Sequence, residues 1–195
     1  MKKTNRKTIH SPCIAVHLRS GSLLSLQREL QRVLKKLGVE TEKTDSAPHV
    51  SLAYASGETG LWNIRRVLSE IQKLDTGEMF SAKAVGFALL PGQSTPYDYL
   101  AIEVEPSEWF KKAKAIVEKR LRVRSFEGGF KNHISLLRIP KGTLKPSVAK
   151  NLIRELNASL FAARALGVVP EWAGECVAVS EKTHRIRYKR TLRAA

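Results

Sequence analysis

Cysteine is nearly absent from this chain: two in 195 residues, Cys13 and Cys176. They stand far apart, each in an apolar, strand-like setting, and read as small buried hydrophobes, so a disulfide framework is not expected. With no Cys-x-x-Cys pair there is no zinc-site spacing, and no metal site is predicted. A Walker-type phosphate loop and a Gly-x-Ser-x-Gly elbow are also missing, which argues against P-loop and Ser–His–Asp chemistry. No run is long or apolar enough to span a membrane. The start of the chain, with Lys2, Lys3, Arg6 and Lys7, has no apolar run behind it, so residues 1–11 read as a basic arm rather than a signal peptide. A cytoplasmic protein without a membrane partner, and with no obligatory protein partner evident, is the expectation.

Acidic residues are scarce: Asp+Glu 18 against Lys+Arg 34 gives a net charge of +16. Such an imbalance points to an anionic partner, nucleic acid or a nucleotide. The charge is spread out, with modest clusters at the start, at Lys119–Arg124 and at Arg185–Arg193. Hydrophobic residues make up 43%, enough for an ordinary core.

The dominant feature is a repeated short segment. His49-Val50-Ser51-Leu52 and His133-Ile134-Ser135-Leu136 each lie in an apolar run that reads as a strand. Side chains at i and i+2 of a strand share a face, so each segment offers an imidazole beside a hydroxyl. The surrounding pattern repeats too. A strand over Ile14–Leu18 precedes a helix over Leu23–Leu37, stopped by Gly38. Tyr99–Val104 is likewise a strand, followed by a helix that Ser107 caps, with Trp109, Phe110, Ala113, Ile116, Val117 and Leu121 as its apolar face. After each His-x-Ser strand come a further helix (Leu61–Leu74; Ser147–Leu160) and a further strand (Phe80–Leu90; Cys176–Ser180). Ala15 to His49 and Leu100 to His133 span nearly equal lengths of chain. The spacing predicts two similar lobes, about 12–97 and 98–195, forming one interleaved domain over 12–195. Packed about a pseudo-twofold axis, they would bring the two His-x-Ser pairs together across a cleft.

Alternation in the leading strands places Ile14, Val16 and Leu18, and in the repeat Leu100, Ile102 and Val104, on faces that helices should cover. The opposite faces carry His17 and Arg19, and Tyr99 and Glu103, as candidate cleft residues. Cleaving an RNA-type phosphodiester through its neighbouring ribose hydroxyl needs a base, an acid and donors for the phosphoryl oxygens. Two histidines can exchange protons near neutral pH, and two serine hydroxyls can donate to the non-bridging oxygens.

On these motifs the chain resembles the two-histidine (2H) phosphoesterase superfamily, defined by paired His-x-Thr/Ser segments each followed by an apolar residue. The resemblance covers roughly residues 12 to 192. It implies an α+β, bilobal fold: two pseudo-twofold-related antiparallel sheets line a central cleft, with helices on the outside. It also implies metal-independent phosphodiesterase activity without a cofactor, in which His49 and His133 take the acid and base roles and Ser51 and Ser135 hold the phosphate. The expected substrate is RNA or an oligonucleotide, with 2′,3′-cyclic phosphate ends or 2′–5′ linkages. Cyclic di- or oligonucleotide signals are the alternative, and an RNA-end-binding module without turnover is the alternative of another class. Candidate substrate contacts are His17, Arg19, Tyr99, Lys131, Arg187 and Tyr188, with Trp62, Phe130 and Trp172 as further stacking residues.

Overall fold

The computed structural model describes residues 8–18, 20–43, 48–74, 81–92, 95–125, 131–167, 171–180 and 186–189. The elements run β1 (Thr8–His10), β2 (Pro12–Leu18), α1 (Gly21–Lys36), β3 (Glu42–Lys43), β4 (His49–Tyr54), β5 (Glu58–Gly60), α2 (Leu61–Gln72), β6 (Ser81–Pro91), β7 (Tyr97–Pro106), α3 (Glu108–Arg120), β8 (His133–Pro140), α4 (Pro146–Ala165), β9 (Glu171–Ser180) and β10 (Ile186–Lys189). The fold is α+β, as expected.

Helix boundaries follow local chemistry. Ser20 accepts from the Leu23 amide at 3.3 Å to cap α1. Ser107 does the same for α3 through the Phe110 amide, each satisfying an amide that the helix leaves unpaired. Gly38 ends α1 at φ +73°, a conformation that costs glycine little. Residues of α1, α2 and α3 at helical spacing (Leu23, Leu30 and Leu34; Ile64, Val67, Leu68 and Ile71; Phe110, Ala113 and Val117) are buried in one core with Ile14, Val16, Val50, Ile102 and Ile134. Burying each large apolar side chain stabilises the fold by about 1.5–3 kcal/mol before entropy is counted.

The sheet runs β10-β9-β2-β4-β8-β7-β6, and β9 also pairs with β6. Six of these strands therefore close into a hydrogen-bonded ring. The half containing β2 and β4 and the half containing β7 and β8 join at two places: β4 meets β8 at one register pair, Val50 with Ile134, and β9 meets β6 at the other side of the ring. The contiguous halves of the chain exchange a strand. β6, from the first half, completes the sheet of β7, and β9, from the second, lies along β2. Sequence spacing marked these strands without naming their partners. The basic arm differs from expectation at its inner end, where Thr8–His10 pairs with Glu58–Gly60 in a separate two-stranded sheet. Among the described residues, no helix is long and apolar enough to cross a membrane.

Candidate active site

Both His-x-Ser segments open their strands, His49 at the start of β4 and His133 at the start of β8. Val50 and Ile134, buried at their centres, face the core. The residues on either side of them therefore share the opposite face. Because the strands run antiparallel through that one pair, His49 lies toward Ser135 and Ser51 toward His133. The two histidines stand on a diagonal of about 7–8 Å or more between strands. β4 and β8 share this single pair, and beyond it β8 pairs with β3 at Leu137 and Arg138.

The two halves match in detail. Ala15 stands opposite Ser51 and Ala101 opposite Ser135, so each serine faces a side chain of minimal size. The carbonyl of the residue before each histidine is held the same way: Leu18 N donates to Pro48 O at 2.8 Å, and Val104 N to Asn132 O at 3.1 Å. Each ladder then skips one residue directly after the serine. β2 pairs Ala15 with Ser51 and Ile14 with Ala53, passing Leu52. β7 pairs Ala101 with Ser135 and Leu100 with Leu137, passing Leu136. These are β-bulges, which shift the alternation by one. They bring Tyr54 and Arg138, three residues beyond each serine, onto the serine's own face. Simple alternation would have sent both to the core, which is why the sequence pattern missed them.

The neighbours of the two histidines differ. His17 stands opposite His49, with ring centroids 5.7 Å apart at 31°. It is 8% exposed, a packed companion of His49 rather than an open cleft wall. Glu103 stands opposite His133, and the Lys131 ammonium lies 3.6 Å from its carboxylate. Lys131 also holds His133 through its backbone, because its carbonyl accepts from Nδ1 at 2.8 Å. A carbonyl can only accept, so Nδ1 carries the proton and Nε2 is the proton acceptor of the neutral ring. Burial pushes the His133 pKa below the usual 6.5, against the opposing pull of the Lys131 carbonyl and the Glu103 charge. Loss of hydration outweighs both and favours the neutral imidazole.

Ser51 is 5% exposed. The Cys13 thiol donates to its Oγ at 3.2 Å, and the Ser51 hydroxyl lies 3.2 Å from Tyr54 Oη. Cys13 is thus buried, as its setting implied, but packs against a motif serine. Tyr99 is half-buried, its Oη 3.4 Å from Thr95 Oγ1. It pairs with Arg138, whose guanidinium sits 6.0 Å from the Tyr97 ring. The Tyr97 hydroxyl donates to Glu42 at 2.9 Å. Trp62 lies elsewhere, exposed on α2 with Arg66 over its ring. Arg19 and Phe130 lie outside the described residues. Arg187, Tyr188 and Trp172 are described only in backbone, on β10 and β9. Among the described residues no group of three or more acidic, histidine or cysteine side chains could hold a metal ion.

No family model and no curated protein matches the sequence. Solved structures do share the fold. Usb1 of Kluyveromyces marxianus with uridine monophosphate superposes with a TM-score of 0.56 at 13% identity, covering 94% of this chain and 98% of that one. A second structure of Kluyveromyces marxianus Usb1 gives 0.56 at 14% identity, over 92% and 99%. At such identity the likeness is one of architecture, extending over nearly the whole of both chains.

Proposed function

We propose that this chain is a phosphodiesterase of the two-histidine type that cleaves RNA-type phosphodiesters, and that His49, Ser51, His133 and Ser135 carry the reaction without a metal. The observation carrying this reading is the matched pair of half-sites. Two His-x-Ser segments flank one cross-strand pair on one face, each followed by a bulge and each serine opposite an alanine. A core histidine needs none of this symmetry. The uridine monophosphate bound by the Usb1 of the same fold supports a nucleotide in the cleft, and the net charge of +16 favours an oligonucleotide over a small neutral substrate.

In this reading His133 is the base. Its Nδ1–H is held by the Lys131 carbonyl and its pKa is lowered, so Nε2 accepts the proton of the attacking ribose hydroxyl. That oxygen bonds to phosphorus as the bond to the leaving oxygen breaks. His49, across the phosphate, gives the leaving oxygen its proton. Ser51 and Ser135 donate to the non-bridging oxygens, where charge accumulates. Hydrolysis of the resulting 2′,3′-cyclic phosphate runs the same transfers in reverse, with water in place of the leaving group. Arg138 and Tyr99 hold the flanking nucleotide by charge and stacking, with Lys131 at the other end of the cleft. His17 fixes the His49 ring. Arg19, Arg187 and Tyr188 remain candidate substrate contacts.

The test is a cleavage screen in chelator. The substrates are a 2′,3′-cyclic phosphate RNA end, 2′–5′ oligoadenylate, 3′–5′ RNA, and cyclic di- and trinucleotides, with the H49A/H133A double variant as control. Cleavage of the first or second class that the control loses is the expected result. Cleavage confined to cyclic nucleotides would move the substrate to signalling molecules. Salt-dependent RNA binding without product would leave a binding module instead.

A further inference from the structure

Beyond the cleft, α1 and the loop after it form a second concave surface. It is a groove of about 680 Å³ lined by Arg28, Gln31, Arg32 and Lys35 of α1 and by Gly38 to Thr41. Arg28, Arg32 and Lys35 are exposed and recur at helical spacing, so they stand in one row. Arg32 pairs with Glu29, and Glu40 is the acidic residue of the lining. Cations still predominate, in a chain that is itself strongly basic.

Its position gives the groove meaning. The loop that walls it runs directly into β3, which pairs with Leu137 and Arg138 of β8, the strand that also carries His133 and Ser135. From beneath, α1 is tied to that strand by Gln27, whose side-chain amide donates to Leu136 O at 2.8 Å. The groove thus lies on the helix-covered side of the sheet, next to the Arg138 end of β8, and a strand of nucleic acid passing Arg138 would reach the row of cations by turning round β3.

We infer that the Arg28–Arg32–Lys35 groove is a track for the single-stranded RNA flanking the cleaved bond, making the enzyme prefer oligonucleotides longer than the cleft alone can hold. This rests on the reading of the cleft given above. The track grips phosphates, so its hold is independent of sequence and sensitive to salt.

The test measures binding by the inactive H49A/H133A protein, so that it does not depend on turnover. Fluorescence anisotropy with oligouridylates of 2, 4, 8 and 12 nucleotides reads affinity against length. Affinity should rise beyond the shortest oligomers. R28Q/R32Q/K35Q should weaken the 12-mer by about tenfold or more at low salt. It should also flatten the slope of log K against log salt by about 2, at about 0.7 for each single-strand phosphate that the variant no longer neutralises. The ratio of 12-mer to 2-mer affinity should collapse. The charge-reversed R28E/K35E should go further in the same direction, and a melting curve checks that both variants are folded. Affinity that does not depend on length, an unchanged salt slope, or an equal loss for 2-mer and 12-mer would each overturn the track. Failure of the catalytic reading shows separately: the double-histidine variant would then cleave at the parent rate, whatever the length series gives.

Discussion

Replacing Gln27 by leucine should destabilise the fold and impair the site together, although Gln27 touches neither motif side chain. Gln27 is 5% exposed and is one of few buried polar residues among those described. Its amide donates at 2.8 Å to the carbonyl of Leu136, the residue that the β7–β8 ladder skips. A bulge leaves backbone groups outside the ladder, and a buried carbonyl without a donor costs about 1–3 kcal/mol. Leucine nearly matches glutamine in volume, so little cavity term is added. At about 2–4 °C per kcal/mol for a chain of this size, a cost of about 1–3 kcal/mol should lower the melting temperature by about 2–12 °C. Because the same bulge turns Arg138 onto the face of Ser135, kcat/KM should also fall, by more than a surface substitution of equal stability cost. Thermal melts and steady-state kinetics on one RNA substrate measure both. Q27L melting within about 1 °C of the parent and cleaving at the parent rate would refute the claim that this hydrogen bond sustains the bulge.

For cleavage of a 2′–5′ linkage by the neighbouring ribose hydroxyl, the step in which His133 is the base, kcat/KM should show an acid limb below the ordinary histidine range. Activity is lost as pH falls through the lowered His133 pKa, and E103Q, by removing a charge that raises it, should move the limb lower still. The same shift acts on stability. The unfolded histidine takes up its proton first as pH falls below about 6.5, so the contribution present above that pH is lost on acidification, and H133A should show a flatter pH–stability curve. Y54F removes the hydroxyl 3.2 Å from Ser51 Oγ and should lower kcat/KM by up to about tenfold, a loss of about 0.5–1.5 kcal/mol, measured beside S51A, which should lose more. S107A should lower stability by about 1 kcal/mol through its lost cap and leave kcat/KM unchanged, as chemical denaturation and kinetics together would show.

Much of this was legible in the chain itself. The helices declared themselves through residues such as Leu23, Leu30 and Leu34, and two of their ends through Gly38 and Ser107, because caps and 3.6-residue periodicity are local. The four motif residues stood out because the motif occurs twice in matching surroundings. Tyr54 and Arg138 did not, since a bulge leaves no mark in a two-residue alternation and only the partner strand reveals the skipped residue. Gln27 carries no local signal of its own, because its partner, Leu136 O, lies on a distant strand. His17 was expected on an open wall and is buried beside His49, because β9 covers the free edge of β2 and no local signal tells which strand a distant one will join. The groove along α1 is visible only once β3 is seen to join the loop to β8.

The central claim is that two histidines on adjacent strands exchange the protons of phosphodiester cleavage without a metal. Single-turnover cleavage of a 2′,3′-cyclic phosphate or 2′–5′ linked oligonucleotide in EDTA, by the parent, H49A and H133A, tests it most directly. Full activity of the parent in chelator, with a loss of about 10²–10⁴-fold in each single variant, is the predicted result. Parent activity abolished by EDTA, or either variant cleaving at the parent rate, would contradict it.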